Sequence, residues 1–87
     1  MVVTLFHTIT LADIKERSSV GGVHICLRAI GYCVYYEATL MHSCDRYTNA
    51  LAAANTLATD HNNQGNSPYC EVTDWSAVAI TEEDTQL

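Results

Sequence analysis

An α+β fold is predicted: an antiparallel sheet of about four strands with one main helix packed on one face, and a short helix near the N-terminus. Three observations carry it. Residues 22 to 40 alternate apolar and polar with a period of two, broken once at Gly31. From Asp45 to His61 the apolar residues recur at three and four residue spacing, the period of a helix. Residues 69 to 81 return to β-forming composition. At 87 residues the chain is read as one domain, 1–87, with 81–87 an acidic tail.

The elements follow in order. Val3, Leu5, His7 and Ile9 alternate with Val2, Thr4, Phe6 and Thr8, the pattern of a strand covered on both faces. Thr10 is placed to cap a short helix through Arg17, with Asp13 three residues on and Leu11 and Ile14 pointing inward. Ser18-Ser19-Val20-Gly21-Gly22 is a soft connection; it lacks the spaced glycines and the Lys-Ser/Thr of a phosphate loop. Val23, Ile25, Leu27 and Ala29 against His24, Cys26 and Arg28 form one arm of a hairpin, and Tyr32, Val34, Tyr36 and Ala38 against Cys33, Tyr35, Glu37 and Thr39 form the other. The turn falls near Ile30 and Gly31, with the register open by one residue.

Ser43 or Asp45 is expected to open the main helix, whose inward stripe is Tyr47, Ala50, Leu51, Ala54, Leu57 and Ala58. Arg46, Asn49, Ala53, Thr56 and Asp60 fall on its other side, and four alanines between 50 and 54 add helix propensity. Residues 61 to 68 hold Asn, Gly and Pro in a polar loop. Tyr69 to Thr81 reads as one bent strand, or as two short ones divided at Thr73-Asp74.

Composition excludes several functions. A hydrophobic fraction of 48% against 16% charged is too apolar for disorder, and no apolar run reaches the roughly 18 residues of a membrane span. No basic segment precedes the apolar residues Val2 to Phe6, so no secretory signal is read, a cytoplasmic location is expected, and the four cysteines are expected to stay reduced. Net charge is −6 and unevenly spread: Asp13, Glu16, Glu37 and Asp45 balance Lys15, Arg17, Arg28 and Arg46, whereas Asp60, Glu71, Asp74, Glu82, Glu83 and Asp84 face no Lys or Arg after Thr59. Direct nucleic-acid binding needs clustered cations and is therefore not expected. A basic surface on a protein partner is the complement of such a segment.

Candidate chemistry is sparse. Four Cys and four His suggest zinc, but the nearest pairs are His24-x-Cys26 and His42-x-Cys44, outside the usual ligand spacings. His42, Cys44 and Asp45 hold the residue types of a thiol nucleophile, although on a strand Asp45 would point away from the other two. No cofactor and no catalysis is expected. Tyr32, Tyr35, Tyr36, Tyr47, Tyr69 and Trp75 are too many to be wholly interior in so short a chain, and exposed Tyr and Trp favour interfaces. With Tyr32 and Tyr36 toward the helix, Tyr35 and Glu37 lie on the far face of the sheet.

The order of elements, with a hairpin, an alanine-rich helix opened by Ser43-Cys44-Asp45-Arg46-Tyr47-Thr48-Asn49-Ala50 and one closing strand, resembles many small proteins encoded by phages and mobile elements. Anti-CRISPR proteins are the best known of these. The resemblance covers size, acidity and element order and includes no diagnostic motif, so it transfers no site residue. It implies a stoichiometric inhibitor that docks on a nucleic-acid-binding or nuclease subunit of a host defence complex.

The expected function is thus a non-catalytic protein-binding module whose partner contacts are Tyr35, Glu37, Glu71, Asp74, Trp75, Glu82, Glu83 and Asp84. The alternatives are a metal- or thiol-dependent protein using His42, Cys44 and Cys70, and a homodimer joined sheet edge to sheet edge.

Overall fold

In the computed structural model, which describes residues 8–65 and 69–82, the period-two segments pair as a meander. Strand β1 (Thr8–Thr10) leads into helix α1 (Leu11–Val20). Strands β2 (Val23–Arg28), β3 (Gly31–Tyr36) and β4 (Thr39–Cys44) follow, then helix α2 (Tyr47–Asn63) and the short strands β5 (Val72–Asp74) and β6 (Ala79–Thr81). The part of the expected first strand before Thr8 lies outside the described residues, as do Glu83 and Asp84.

The hairpin register is now defined: Val23 pairs with Tyr36, Cys26 with Cys33 and Arg28 with Gly31, leaving Ala29 and Ile30 as the turn. Gly31 is required twice over. Its φ is +120°, and a Cβ built there would lie 2.5 Å from the carbonyl oxygen of Cys44 on β4.

The hairpin was expected to end near residue 40, but residues 39 to 44 add a third strand. Its alternation is hidden because Tyr35 pairs with Leu40 and Val34 with His42, so Met41 is an extra residue in a β-bulge. The connecting turn places Glu37 and Ala38 at φ 54° and 64°, left-handed conformations that favour Gly or Asn. The buried Ser18 hydroxyl on α1 accepts the Ala38 N–H at 2.9 Å and so ties the turn down.

This use of Ser43 and Cys44 in β4 also moves the helix. Residue Arg46 occupies the N-cap position of α2 with no side-chain cap bond, so neither Ser43 nor Asp45 caps it. The helix has 17 residues, about 25 Å at 1.5 Å per residue, and ends two residues past His61. Its buried row is Ala50, Ala54 and Ala58, whose small side chains let the backbone approach the sheet. Leu51 and Leu57 are partly buried beside them, together with Ala53, which had been placed on the outer side.

The main sheet has the order β4-β3-β2-β5 and is mixed rather than wholly antiparallel. Helix α2 carries the chain back along the sheet, so β5 runs parallel to β2, with Val23 opposite Val72 and Ile25 opposite Asp74. The final β region divides not at Thr73-Asp74 but at Trp75–Val78, because its halves belong to different sheets. Strand β6 pairs in parallel with β1, from Thr8 opposite Ala79 to Thr10 opposite Thr81.

Both faces of the main sheet are therefore covered. On the α2 side Val23, Ile25 and Val34 meet the alanine row and Cys70. On the other side Ile9, Leu11, Ile14, Cys26, Cys33 and Tyr35 form a second core with Trp75, Val78 and Ile80 packed on it. Burying each of the larger aliphatic side chains contributes about 1.5–3 kcal/mol. Helix α1 supplies this second layer through Leu11, Ile14 and Ser18; Thr10 Oγ1 caps it by accepting the Asp13 N–H at 3.0 Å, and it runs past the expected end at Arg17. Among the described residues no helix is long and apolar enough to cross a membrane.

Candidate protein-binding surface

The second layer removes the far face as an open docking surface. Tyr35 is only 1% exposed, and its hydroxyl accepts a hydrogen bond from Arg28 Nη1 at 2.9 Å. Arg28 in turn donates to Glu82 Oε1 from Nε at 3.1 Å and Nη2 at 2.9 Å, while Glu82 Oε2 accepts the Ala29 N–H at 2.8 Å. Those bonds, the Ala29 amide first and then Arg28, hold the Glu82 carboxyl below its ordinary pKa. Tyr35 is thus an interior anchor and Glu82 a clasp on the β2–β3 turn, not the free tail residue expected.

Trp75 is half-buried. Its backbone N–H donates to Ile25 O at 2.7 Å and its Nε1–H donates to His24 Nδ1 at 2.9 Å. An indole only donates, so His24 accepts at Nδ1, carries its proton on Nε2 and donates it to Gly21 O at 3.2 Å. Burial first, and the Arg17 charge further, act to keep His24 neutral, and its pKa lies below 6.5. The hydrogen bond to Gly21 only partly opposes them.

Asp74 is also occupied. Its Oδ2 accepts the Tyr47 hydroxyl at 2.6 Å and its Oδ1 the Ser76 N–H at 2.8 Å. Burial acts to raise its pKa, but these bonds outweigh burial and the net shift is downward. It fastens the start of α2 to the sheet edge.

Glu37 and Glu71 have a different setting. Tyr36, Val23 and Val72 form one row across β3, β2 and β5, and the next position outward is Glu37, Gly22 and Glu71. The two carboxylate-bearing residues therefore end the same edge of the sheet, two strand spacings or roughly 10 Å apart. Gly22, at φ +88°, lies between them, where an added Cβ would come within 3.2 Å of Glu71 O. Both glutamates are exposed, and among the described residues the one ion pair is Arg28–Glu82.

Two recesses flank this end. One, of about 390 Å³, lies between α2 and the approach to β5 and includes Asn55, Thr59, Asn62, Tyr69 and Glu71 in its lining. The other, of about 120 Å³, lies between the end of α1 and β3 and includes Gly22, Tyr36, Glu37 and His61. No Lys or Arg lines either. Tyr69 is 73% exposed and Val20, at the same end, 78%. The segment bearing Tyr69 and Glu71 is held by Asn62, whose Oδ1 accepts the Cys70 N–H at 2.8 Å and whose Nδ2 donates to Cys70 O at 3.0 Å.

The predicted contacts thus separate. Glu37 and Glu71 share one end, Asp74 and Trp75 serve the edge and the second core, and Tyr35 and Glu82 serve the β2–β3 turn. Asn55 and Thr59, which line the recess beside Glu71, were not among the expected contacts, and Tyr69 was expected only as one of the aromatic residues too many to be interior. The polar spacing Asn55, Thr59, Asn62 along one side of α2 is the signal that marks such a row.

The strand order separates Cys70 from the other two residues of the metal or thiol alternative. His42 and Cys44 lie on β4 and Cys70 beside β5, at opposite edges of the sheet. The Cys44 thiol donates to Arg46 O at 3.1 Å, and among the described residues no three His, Cys, Asp or Glu side chains gather as metal ligands would. Comparison with protein-family models, with curated proteins and with solved structures finds no match.

Proposed function

We propose that the chain is a small non-catalytic protein-binding module that sets its acidic end on a basic surface of a partner. The observation that supports this is the shared row of Glu37 and Glu71, flanked by exposed Tyr69 and Val20, with no Lys or Arg among the described residues that line the two recesses beside it. Exposed carboxylates attract Lys and Arg over about a Debye length, and a neighbouring Tyr supplies contact area at small entropic cost. Proteins that handle nucleic acids present such basic surfaces. The resemblance to small phage inhibitors of the anti-CRISPR type points to the same partner class, with inhibition by occupancy of the basic surface.

The test is affinity capture with the wild-type chain and with Glu37→Lys/Glu71→Lys and Tyr69→Ala variants of unchanged melting temperature. A partner captured by the wild type, released by moderate salt, displaced by nucleic acid and lost with the charge reversal supports the proposal. Capture that ignores both the reversal and salt overturns it.

A second reading, a homodimer joined edge to edge, is favoured by one observation. Among the described residues the outer edge of β4 is unpaired, and Leu40 and Met41 on it are exposed. The Met41 bulge works against regular pairing there, and solution mass decides between one copy and two.

A further inference from the structure

A third recess, of about 410 Å³, lies on the opposite layer and is lined by Thr8, Ile9 and Thr10 of β1, Asp13 and Arg17 of α1, and Trp75. Its indole is held in place from behind by the hydrogen bond to His24 and by the backbone bond to Ile25. The Arg17 guanidinium sits over that indole, 5.1 Å from the ring centroid, and enters no ion pair among the described residues. Asp13 is one helical turn away on the same face, yet its carboxylate is not paired with Arg17. The recess therefore offers a cation and an anion on one face of α1, each without a salt-bridge partner among the described residues, with Ile9 and Trp75 also in its lining.

A simple anion would meet Arg17 but be repelled by Asp13, and a simple cation the reverse. A ligand with both charges on neighbouring atoms satisfies both. We propose that this recess binds a free α-amino acid with an apolar side chain: Arg17 takes the carboxylate, Asp13 the ammonium group, and Trp75 and Ile9 the side chain. The volume is within the range of small-molecule sites, and the planar guanidinium fork matches a carboxylate in two-point geometry. Thr8 also lines the recess, whereas the Thr10 hydroxyl is engaged as the cap of α1.

Trp75 is the single tryptophan of the chain, so its emission reports on the recess directly. The full chain is titrated with L-leucine, with isocaproate, which lacks the ammonium group, and with isopentylamine, which lacks the carboxylate. The expected result is a saturable change at millimolar L-leucine, with both analogues weaker by about tenfold or more. Arg17→Ala and Asp13→Asn should each abolish the response while a cooperative melting transition shows that each variant remains folded. Both are exposed helix positions, so the fold is not at stake. Absence of a saturable response, isocaproate binding as well as L-leucine, or a wild-type response in both variants overturns the proposal.

Discussion

Replacing Gly31 with Ala is expected to destabilise the domain by about 3 kcal/mol. At φ +120° any L side chain is strained, which costs roughly 1–2 kcal/mol for a residue held at positive φ. The added Cβ would also stand 2.5 Å from Cys44 O and 3.3 Å from Cys44 C, both backbone atoms that cannot rotate away. Relief requires β4 to shift, which loosens the pairing of Tyr32 with Cys44 at about 0.5–1.5 kcal/mol per hydrogen bond. A loss of this size lowers the melting temperature of a chain this small by roughly 12–24 °C. Gly65→Ala provides the control, since Gly65 also has positive φ, +75°, but nothing among the described residues lies within 4 Å of its Cβ position. That variant should show the conformational cost alone, about 1 kcal/mol. Urea and thermal unfolding of both variants measure the difference. If they agree to within about 0.5 kcal/mol, the close approach of β4 to the turn is refuted as the source of the requirement for glycine.

Three other outcomes are expected. Ala38→Gly relieves a left-handed alanine at φ 64° and, after the larger unfolded-state entropy of glycine, should stabilise the domain by about 0.5–1 kcal/mol in denaturant unfolding; destabilisation would show that the turn is not strained. His24 has its pKa lowered by burial from 6.5, so below that pH the unfolded chain binds more protons than the folded one, and stability falls as pH drops from 6.5 toward the folded pKa. From about one unit above 6.5 both states are neutral at His24 and this contribution is constant; comparing melting curves of wild type and His24→Gln across that window isolates it, and parallel curves would contradict it. Cys26 is buried with its pKa pushed up to about 12, and Cys33 and Cys70 are buried with pKa values raised, so at neutral pH only the half-exposed Cys44 should react quickly with a thiol reagent. Mass spectrometry of a brief alkylation reads the site, and rapid labelling of Cys26 would show that the second core opens.

Much of the fold could be read from local pattern. The period of two in 22–40 and the three-four spacing in 45–61 report backbone geometry directly, and they locate the hairpin turn and the alanine row without knowledge of neighbours. Strand β4 was hidden by the Met41 bulge, which shifts the alternation by one residue. The missing cap on α2 follows from the same strand, since Ser43 pairs with Cys33 and cannot also begin the helix. For the site, the excess of acid was legible, but its grouping was not. Glu37 and Glu71 are 34 positions apart in the chain and share one end of the sheet only because β2 pairs with both β3 and β5.

What the sequence determined by itself is an α+β fold with a scaffold helix, an unbalanced negative charge, and no ligand spacing of a familiar metal or nucleotide site. What only the tertiary structure decided is which side chains are free. Tyr35 and Glu82 were spent on Arg28, Asp74 on Tyr47, and Trp75 on His24, because pairing across strands and layers brings together residues whose separation in the chain has no local signature. Hydrophobic period depends on a residue and its near neighbours, whereas availability for a partner depends on every element packed around it. The acidic end with Glu37, Glu71 and Tyr69, and the recess of Asp13, Arg17 and Trp75, are therefore products of the packing.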